Sequence, residues 1–189
     1  MMAEATAVAQ TADPLEKLIE QHEYRDAVAL AAREYGPLMG RYCMAMLGSQ
    51  AEAEEACQEA LVAAYRSMAS YRGEGSVKAW LLGIARRICS KRLATRVRED
   101  RRLRLVHDAD ASAELPDALV ESRRRAARVR DALDQLKPTE REAVVLRYGS
   151  GLAYQKVGHL CGIDEATARK RVSRALARLR SLLHEEGVS

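Results

Sequence analysis

Phenylalanine is absent from this 189-residue chain, and aromatic residues make up only 4% of it. Alanine, leucine, arginine and glutamate fill the sequence instead. Straight-chain residues lose little rotamer freedom in a helix, so this composition favours helix over sheet. Long apolar runs are also missing. The longest strongly apolar stretch lies around Ala79 to Ala85, far short of the roughly 20 residues that span a bilayer. The N-terminus has neither a basic segment nor an apolar one, so no secretory signal is expected. A cytoplasmic protein without membrane insertion is the expectation.

Cysteine is sparse. Cys43, Cys57, Cys89 and Cys161 include no C-x-x-C pair, and His159 with Cys161 is the only His/Cys proximity. A structural zinc site needs four converging ligands, so the four thiols read as small, buried or half-buried side chains and no metal is expected. A glycine-rich phosphate loop and a nucleophile placed beside a base are missing too. The sequence therefore offers no enzyme active site and calls for no cofactor.

What is present is charge, strongly segregated. The formal net charge is only +4. From Arg86 to Arg104, however, nine basic residues (Arg86, Arg87, Lys91, Arg92, Arg96, Arg98, Arg101, Arg102 and Arg104) face only Glu99 and Asp100. The sign then reverses. Asp108, Asp110, Glu114, Asp117 and Glu121 follow with no Lys or Arg among them, and Pro116 interrupts the stretch. Such a segment reads as an interdomain linker. The expected organisation is a disordered or weakly helical N-terminus over 1–23, a helical domain over 24–104, a flexible acidic linker over 105–118 and a second helical domain over 119–186. The fold class is all-α.

Helical periodicity sets the details. A short helix fits Pro14 to His22, and another runs from near Asp26 to Leu47, with a kink or break expected at Gly36-Pro37. Ser49-Gln50-Ala51-Glu52 is a capping-box pattern that opens a helix to about Met68. Its apolar stripe is Ala53, Ala56, Cys57, Ala60, Leu61, Ala64 and Met68, which leaves Glu55, Gln58, Glu59 and Val62 on the opposite face. Ser76 caps a third helix to about Arg98, with Val77, Leu81, Ile84, Ala85 and Ile88 inward and Trp80 on the flank. In the second domain one helix reaches about Leu136. Thr139 to Glu142 reads as a further capping box, opening a helix to about Tyr148.

The C-terminal pattern carries the first functional signal. A short helix from about Ala153 to Cys161, a turn at Gly162 and a longer basic helix capped by Asp164 make a helix-turn-helix pattern. Lys170, Ser173 and Arg174 lie opposite the apolar stripe of the last helix, flanked by Arg169 and Arg171. No acidic residue occurs between Thr167 and Leu183. Arginine can read a guanine edge in the major groove, and arginine and lysine neutralise phosphates. The competing reading is a solvated basic face; the preceding helix and turn favour DNA. Likewise Trp80 beside Arg86–Arg104 offers a stacking surface for an unpaired base or is simply a core residue.

Several segments in order resemble one family. Ala53-Glu54-Glu55-Ala56-Cys57-Gln58-Glu59 and Ala79-Trp80-Leu81-Leu82-Gly83-Ile84-Ala85-Arg86 resemble the region 2 signatures of extracytoplasmic-function sigma factors. Leu136-Lys137-Pro138, Leu152-Ala153-Tyr154 and Thr167 through Ala175 resemble region 4. Departures are Glu55 for the usual Asp, Arg87 for the usual Asn, Ala153 for Ser and Lys156 for Glu. The resemblance implies a region 2 helical bundle and a region 4 helix-turn-helix. It also implies that core RNA polymerase and promoter DNA are partners, and that an anti-sigma factor is a candidate third. Glu55, Gln58, Glu59 and Val62 would dock on the β′ clamp helices, and region 4 would meet the β flap. Tyr71, Arg72, Ser76, Trp80, Arg86, Arg87, Lys91 and Arg92 would recognise and melt the minus-ten element. Thr167, Arg169, Lys170, Arg171, Ser173 and Arg174 would contact the minus-thirty-five element. The alternative is a stand-alone helix-turn-helix repressor or activator, which accounts for the C-terminal domain but leaves the Glu55/Gln58 face and the Trp80 helix unexplained.

Overall fold

The computed structural model describes residues 13–73, 75–102 and 117–185, with the side chains of all but 97–102, 117–124, 126 and 185. The N-terminal stretch before Asp13 and the acidic linker as far as residue 116 lie outside the described residues.

Helix α1 spans Pro14–Glu20. Pro14 at its first position has no N–H to leave unpaired, and Asp13 caps it by accepting the Leu15 N–H at 2.9 Å. Leu15 and Ile19, four apart, are buried. Helix α2 runs Tyr24–Leu47 without interruption, so of the kink or break expected at Gly36-Pro37 the break does not occur. Proline inside a helix costs about 3 kcal/mol in lost hydrogen bonding and ring clash. The burial of Ala27, Ala31, Met39, Tyr42, Cys43, Met46 and Leu47 on both sides of it offsets that cost. Gly48 ends the helix at φ 79°, its N–H bonded to the Met44 carbonyl at 3.0 Å.

Helix α3 covers Gln50–Ser67 and begins where the capping pattern predicts, with Ser49 Oγ accepting the Glu52 N–H at 3.5 Å. Its buried face is Ala53, Ala56, Ala60 and Ala64. Four alanines on one stripe let the neighbouring backbones approach closely. A 3-10 turn, Met68–Ser70, leads to helix α4, Val77–Arg102. Ser76 Oγ accepts the Ala79 N–H at 3.3 Å. Helix α4 buries Leu82 and Cys89 in addition to the predicted stripe, because α2 and α3 both pack on it.

The second half holds α5 (Asp117–Asp134), α6 (Pro138–Val144), a π-helical turn (Val145–Gly149), α7 (Tyr154–Cys161) and α8 (Glu165–Glu185). The helix expected from Leu119 thus starts at Asp117, and it ends two residues before Leu136. The capping box at Thr139–Glu142 does not form. Pro138 occupies the first helical position, Lys137 is the N-cap, and no side chain caps the end. The Glu142 carboxylate is instead drawn to Arg86 of α4. The turn at Gly162 is as expected: φ is 66°, and the Ile163 N–H reaches back to the Gly158 carbonyl at 2.9 Å.

No strand occurs among the described residues. The two halves share one buried apolar cluster, which runs from Leu15 and Tyr42 through Leu81 to Leu146, Val157 and Val172. The seam between them is formed where α4 meets α6 and α7 and where α2 meets the π-helical turn.

Candidate nucleic-acid interface

The segment between α3 and α4 contains Gly73 at φ 67° and Gly75 at φ 113°, conformations that side-chained residues rarely adopt. The chain can therefore fold back tightly over the start of α4. There the Tyr71 ring lies 4.9 Å from the Trp80 ring, tilted by 53°. The Tyr71 hydroxyl donates to Glu16 Oε1 at 2.8 Å and approaches the Gly75 carbonyl at 3.2 Å. Burial and the Glu16 hydrogen bond push the phenol pKa well above its ordinary value, so it stays a donor.

Around this pair lies a hollow of about 290 Å³. Tyr71, Arg72, Ser76, Trp80 and Arg87 line it, so the fold gathers five of the eight predicted minus-ten residues. An aromatic wall with guanidinium groups at its edge can stack a base and hold its phosphate. The opposite wall is Lys156, His159 and Leu160 of α7, the first helix of the helix-turn-helix. A Cβ on Gly83 would stand 3.1 Å from Leu160 Cδ2, a measure of how closely α7 rides on α4.

The other three basic residues go elsewhere. Arg86 turns into the seam, with Nε 2.7 Å from Glu142 Oε1 and Nη2 3.4 Å from Oε2. The Nε–H is not aimed at the carboxylate, so the shorter approach is a charge contact and not a hydrogen bond. Burial opposes the Arg86 charge, but the Glu142 carboxylate more than offsets it and the pKa is raised. Tyr42 and Cys161 border the same pair. Cys161 Sγ is 3.5 Å from Glu142 Oε2, and burial together with that carboxylate pushes the thiol up to about 12. The Tyr42 hydroxyl is buried and has no hydrogen-bond partner among the described residues.

Arg92 bridges to α3, donating to Glu55 at 3.0 Å and to Glu59 at 3.1 Å. Arg96 continues the ladder to Glu52 and to the Leu47 carbonyl. Lys91 lines a second hollow of about 300 Å³ beside these pairs. Two of the predicted polymerase-docking residues, Glu55 and Glu59, are thus joined to a predicted DNA contact. Gln58 faces a separate groove with Gly36, Gly40 and Leu61, and Val62 is 48% exposed.

On α8 the cap is well made: Asp164 accepts the Thr167 N–H at 2.8 Å and the Thr167 hydroxyl at 2.6 Å. These two hydrogen bonds lower the Asp164 pKa. Lys170, Ser173 and Arg174 are exposed, and Arg171 is half-buried. Arg169 is held by Glu165 at 2.6 Å and lies 4.5 Å over the Tyr154 ring. Arg147 lies 4.6 Å from the same ring and donates to the Leu152 carbonyl at 2.9 Å. Tyr154 is thus in contact with two guanidinium groups.

Residues 31–99 match Sigma-70 region 2, and residues 126–179 match Sigma-70 region 4. A relative from Rhodopseudomonas palustris, ECF RNA polymerase sigma factor EcfG, is 30% identical over 156 residues, covering 80% of this chain and 82% of the relative. RNA polymerase sigma factor CarQ of Myxococcus xanthus is 30% identical over 161 residues, covering 85% and 91%. The chain is an extracytoplasmic-function RNA polymerase sigma factor of the sigma-70 family. Both halves of the sigma factor are matched, so a helix-turn-helix regulator independent of polymerase is not favoured. The fold agrees with the sigma factor RpoE of Bartonella quintana, solved in complex with the anti-sigma factor NepR. The TM-score is 0.66 and the identity 26%, over 86% of this chain and 97% of that one. Sigma factors are not enzymes. Among the described residues no group of His, Cys, Asp or Glu could hold a metal ion, and no helix is long and apolar enough to cross a membrane.

Sequence reasoning missed Glu16, Glu142, Arg147, Tyr154, Lys156 and His159. Glu142 lay within a capping pattern that explained it locally. Tyr154 and Arg147 are seven residues apart across an irregular turn, where helical periodicity carries no information.

Proposed function

We propose that this sigma factor divides promoter recognition between its two domains, region 2 over 24–104 and region 4 over 119–186. The Tyr71–Trp80 hollow takes an unpaired base of the minus-ten element, with Arg72, Ser76 and Arg87 at its edge. Arg86, Lys91 and Arg92 hold the strand. Helix α8 enters the major groove of the minus-thirty-five element through Thr167, Arg169, Lys170, Arg171, Ser173 and Arg174. Glu55, Gln58, Glu59 and Val62 dock on the β′ clamp helices of core polymerase, and region 4 meets the β flap. The acidic segment 105–118 sets the spacing. The protein acts in the cytoplasm, needs no cofactor and leaves the chemistry to polymerase.

The observation that carries this reading is the tilted Tyr71–Trp80 pair, 4.9 Å apart and edged by Arg72 and Arg87. An apolar core would not pair two aromatics with exposed cations. Because Lys156, His159 and Leu160 wall the same hollow, DNA enters only after region 4 swings away and the Arg86–Glu142 contact opens. Binding of an anti-sigma factor is part of the proposal, supported by the likeness to RpoE of Bartonella quintana, whose structure was solved with NepR.

Run-off transcription with purified core polymerase on a library of bacterial promoter fragments tests the assignment. Specific transcripts that need this protein, and that fade with Trp80→Ala, support it. Transcripts unaffected by Trp80→Ala or by Lys170→Ala with Arg174→Ala would reject the division of labour. A pull-down on core polymerase with Glu55→Lys and Gln58→Ala tests the docking face separately, and normal binding would show that face to be misassigned.

A further inference from the structure

Helix α1 precedes residue 31, where the match to Sigma-70 region 2 begins. It nevertheless reaches the aromatic hollow. Two of its residues are buried, Leu15 at 0% and Ile19 at 5% exposure, and its N-cap Asp13 accepts hydrogen bonds from the Leu15 N–H and the Tyr35 hydroxyl. The backbone carrying Glu16 is therefore fixed to the core through α2. From that fixed position Glu16 Oε1 accepts the Tyr71 hydroxyl at 2.8 Å. Among the described residues, the second acceptor within hydrogen-bond reach of that hydroxyl is the Gly75 carbonyl at 3.2 Å. One phenol hydrogen cannot serve both fully, and a charge-assisted bond to a carboxylate is the stronger.

The segment that carries Tyr71 is rich in glycine. Gly73 and Gly75 both sit at positive φ, and the local backbone bonds are Tyr71 N–H to the Met68 carbonyl and Gly75 N–H to the Gly73 carbonyl. Neither of those bonds fixes the Tyr71 ring against Trp80. The Glu16 bond does.

We infer that Glu16 is a positioning residue for promoter melting, which holds the Tyr71 ring so that the base-accepting hollow against Trp80 is formed before DNA arrives. The inference rests on the proposed role of that hollow. A preformed hollow spares the cost of ordering the loop when the base flips in. Glu16 itself touches no DNA.

Trp80 is the only tryptophan in the chain, so its fluorescence reports the state of the hollow without polymerase or DNA. In the full-length protein, Glu16→Ala and Tyr71→Phe are each expected to raise the accessibility of Trp80 to acrylamide, measured as the quenching constant, roughly twofold. Glu16→Gln keeps an acceptor oxygen without its charge and is expected to fall between wild type and Glu16→Ala. Unchanged quenching in Glu16→Ala overturns the inference whatever the function of the protein. With core polymerase, each of the two variants is expected to slow strand opening, read by 2-aminopurine in the minus-ten element, roughly three- to tenfold, the worth of one hydrogen bond. The double variant should open no more slowly than either single one, and affinity for core and for minus-thirty-five duplex should be unchanged. Additive losses, or an equal loss of core affinity, would also overturn it, since they mark general destabilisation. A wild-type protein that opens no promoter overturns the proposed minus-ten role of the hollow and leaves the quenching result to decide on the tether.

Discussion

Arg86 of α4 and Glu142 of α6 meet across the seam between region 2 and region 4, with Nε 2.7 Å from Oε1 and the side chains 26% and 9% exposed. A half-buried charge left without its partner is costly. Glu142→Gln should therefore weaken closure of the two domains by about 1–3 kcal/mol. Small-angle scattering or an interdomain fluorescence pair should report a larger mean separation. The exchange Arg86→Glu with Glu142→Arg should restore most of the closed population. Closure that survives Glu142→Gln intact would mean that the apolar contacts of Leu160 on α4 suffice.

Cys161 offers a chemical reading of the same seam. With its pKa near 12, only on the order of one thiol in 10⁴ is ionised at pH 8. Alkylation should be slow there and should accelerate about tenfold per pH unit until the pH approaches 12. The sign follows from the cause: burial and the Glu142 carboxylate disfavour the thiolate, so reactivity is low below the raised pKa. Glu142→Gln removes one of those two causes and should bring the acceleration to lower pH. Rapid alkylation of wild-type Cys161 at pH 8, located by peptide mass analysis, would contradict the closed geometry.

The alanine face of α3 should tolerate little growth. Ala60 is fully buried, and Ala60→Leu inserts three carbons where neighbouring helices touch. A loss of about 1–3 kcal/mol is expected, seen as a lower urea midpoint with an unchanged slope. Ala51→Leu on the exposed side of the same helix should change stability by no more than about 0.5 kcal/mol.

On α8, Lys170 and Arg174 are exposed and have no ion-pair partner among the described residues. Each replacement by alanine should lower the slope of log affinity against log salt by about one on duplex DNA. Tyr154→Ala should act differently. It removes the ring against which Arg169 and Arg147 lie. Sequence discrimination should then fall by roughly two- to fivefold, the worth of an exposed cation–π contact, with the salt slope little changed.

Local features were legible in the chain. The Ser49 and Ser76 caps, the turn at Gly162 and the alanine stripe of α3 follow from spacing, because each depends on neighbours within about one helical turn. The same reasoning failed where a tertiary contact outbid the local rule. Pro37 was expected to kink or break α2, yet the helix runs on through it, with seven of its residues buried. Thr139–Glu142 has the letters of a capping box, yet Glu142 sits against a guanidinium 56 residues away.

The sequence by itself determined the all-α class, the order of the helices and which residue types each helix offers to its surroundings, because periodicity and capping are properties of adjacent residues. Which cation meets which carboxylate was decided only by tertiary structure. Arg86, Arg87 and Arg92 are near neighbours on one basic helix. One pairs with Glu142 across the seam, one lines the aromatic hollow and one bridges Glu55 and Glu59. Helical rotation of about 100° per residue sends them in different directions, and what each one finds depends on helices brought together from distant parts of the chain.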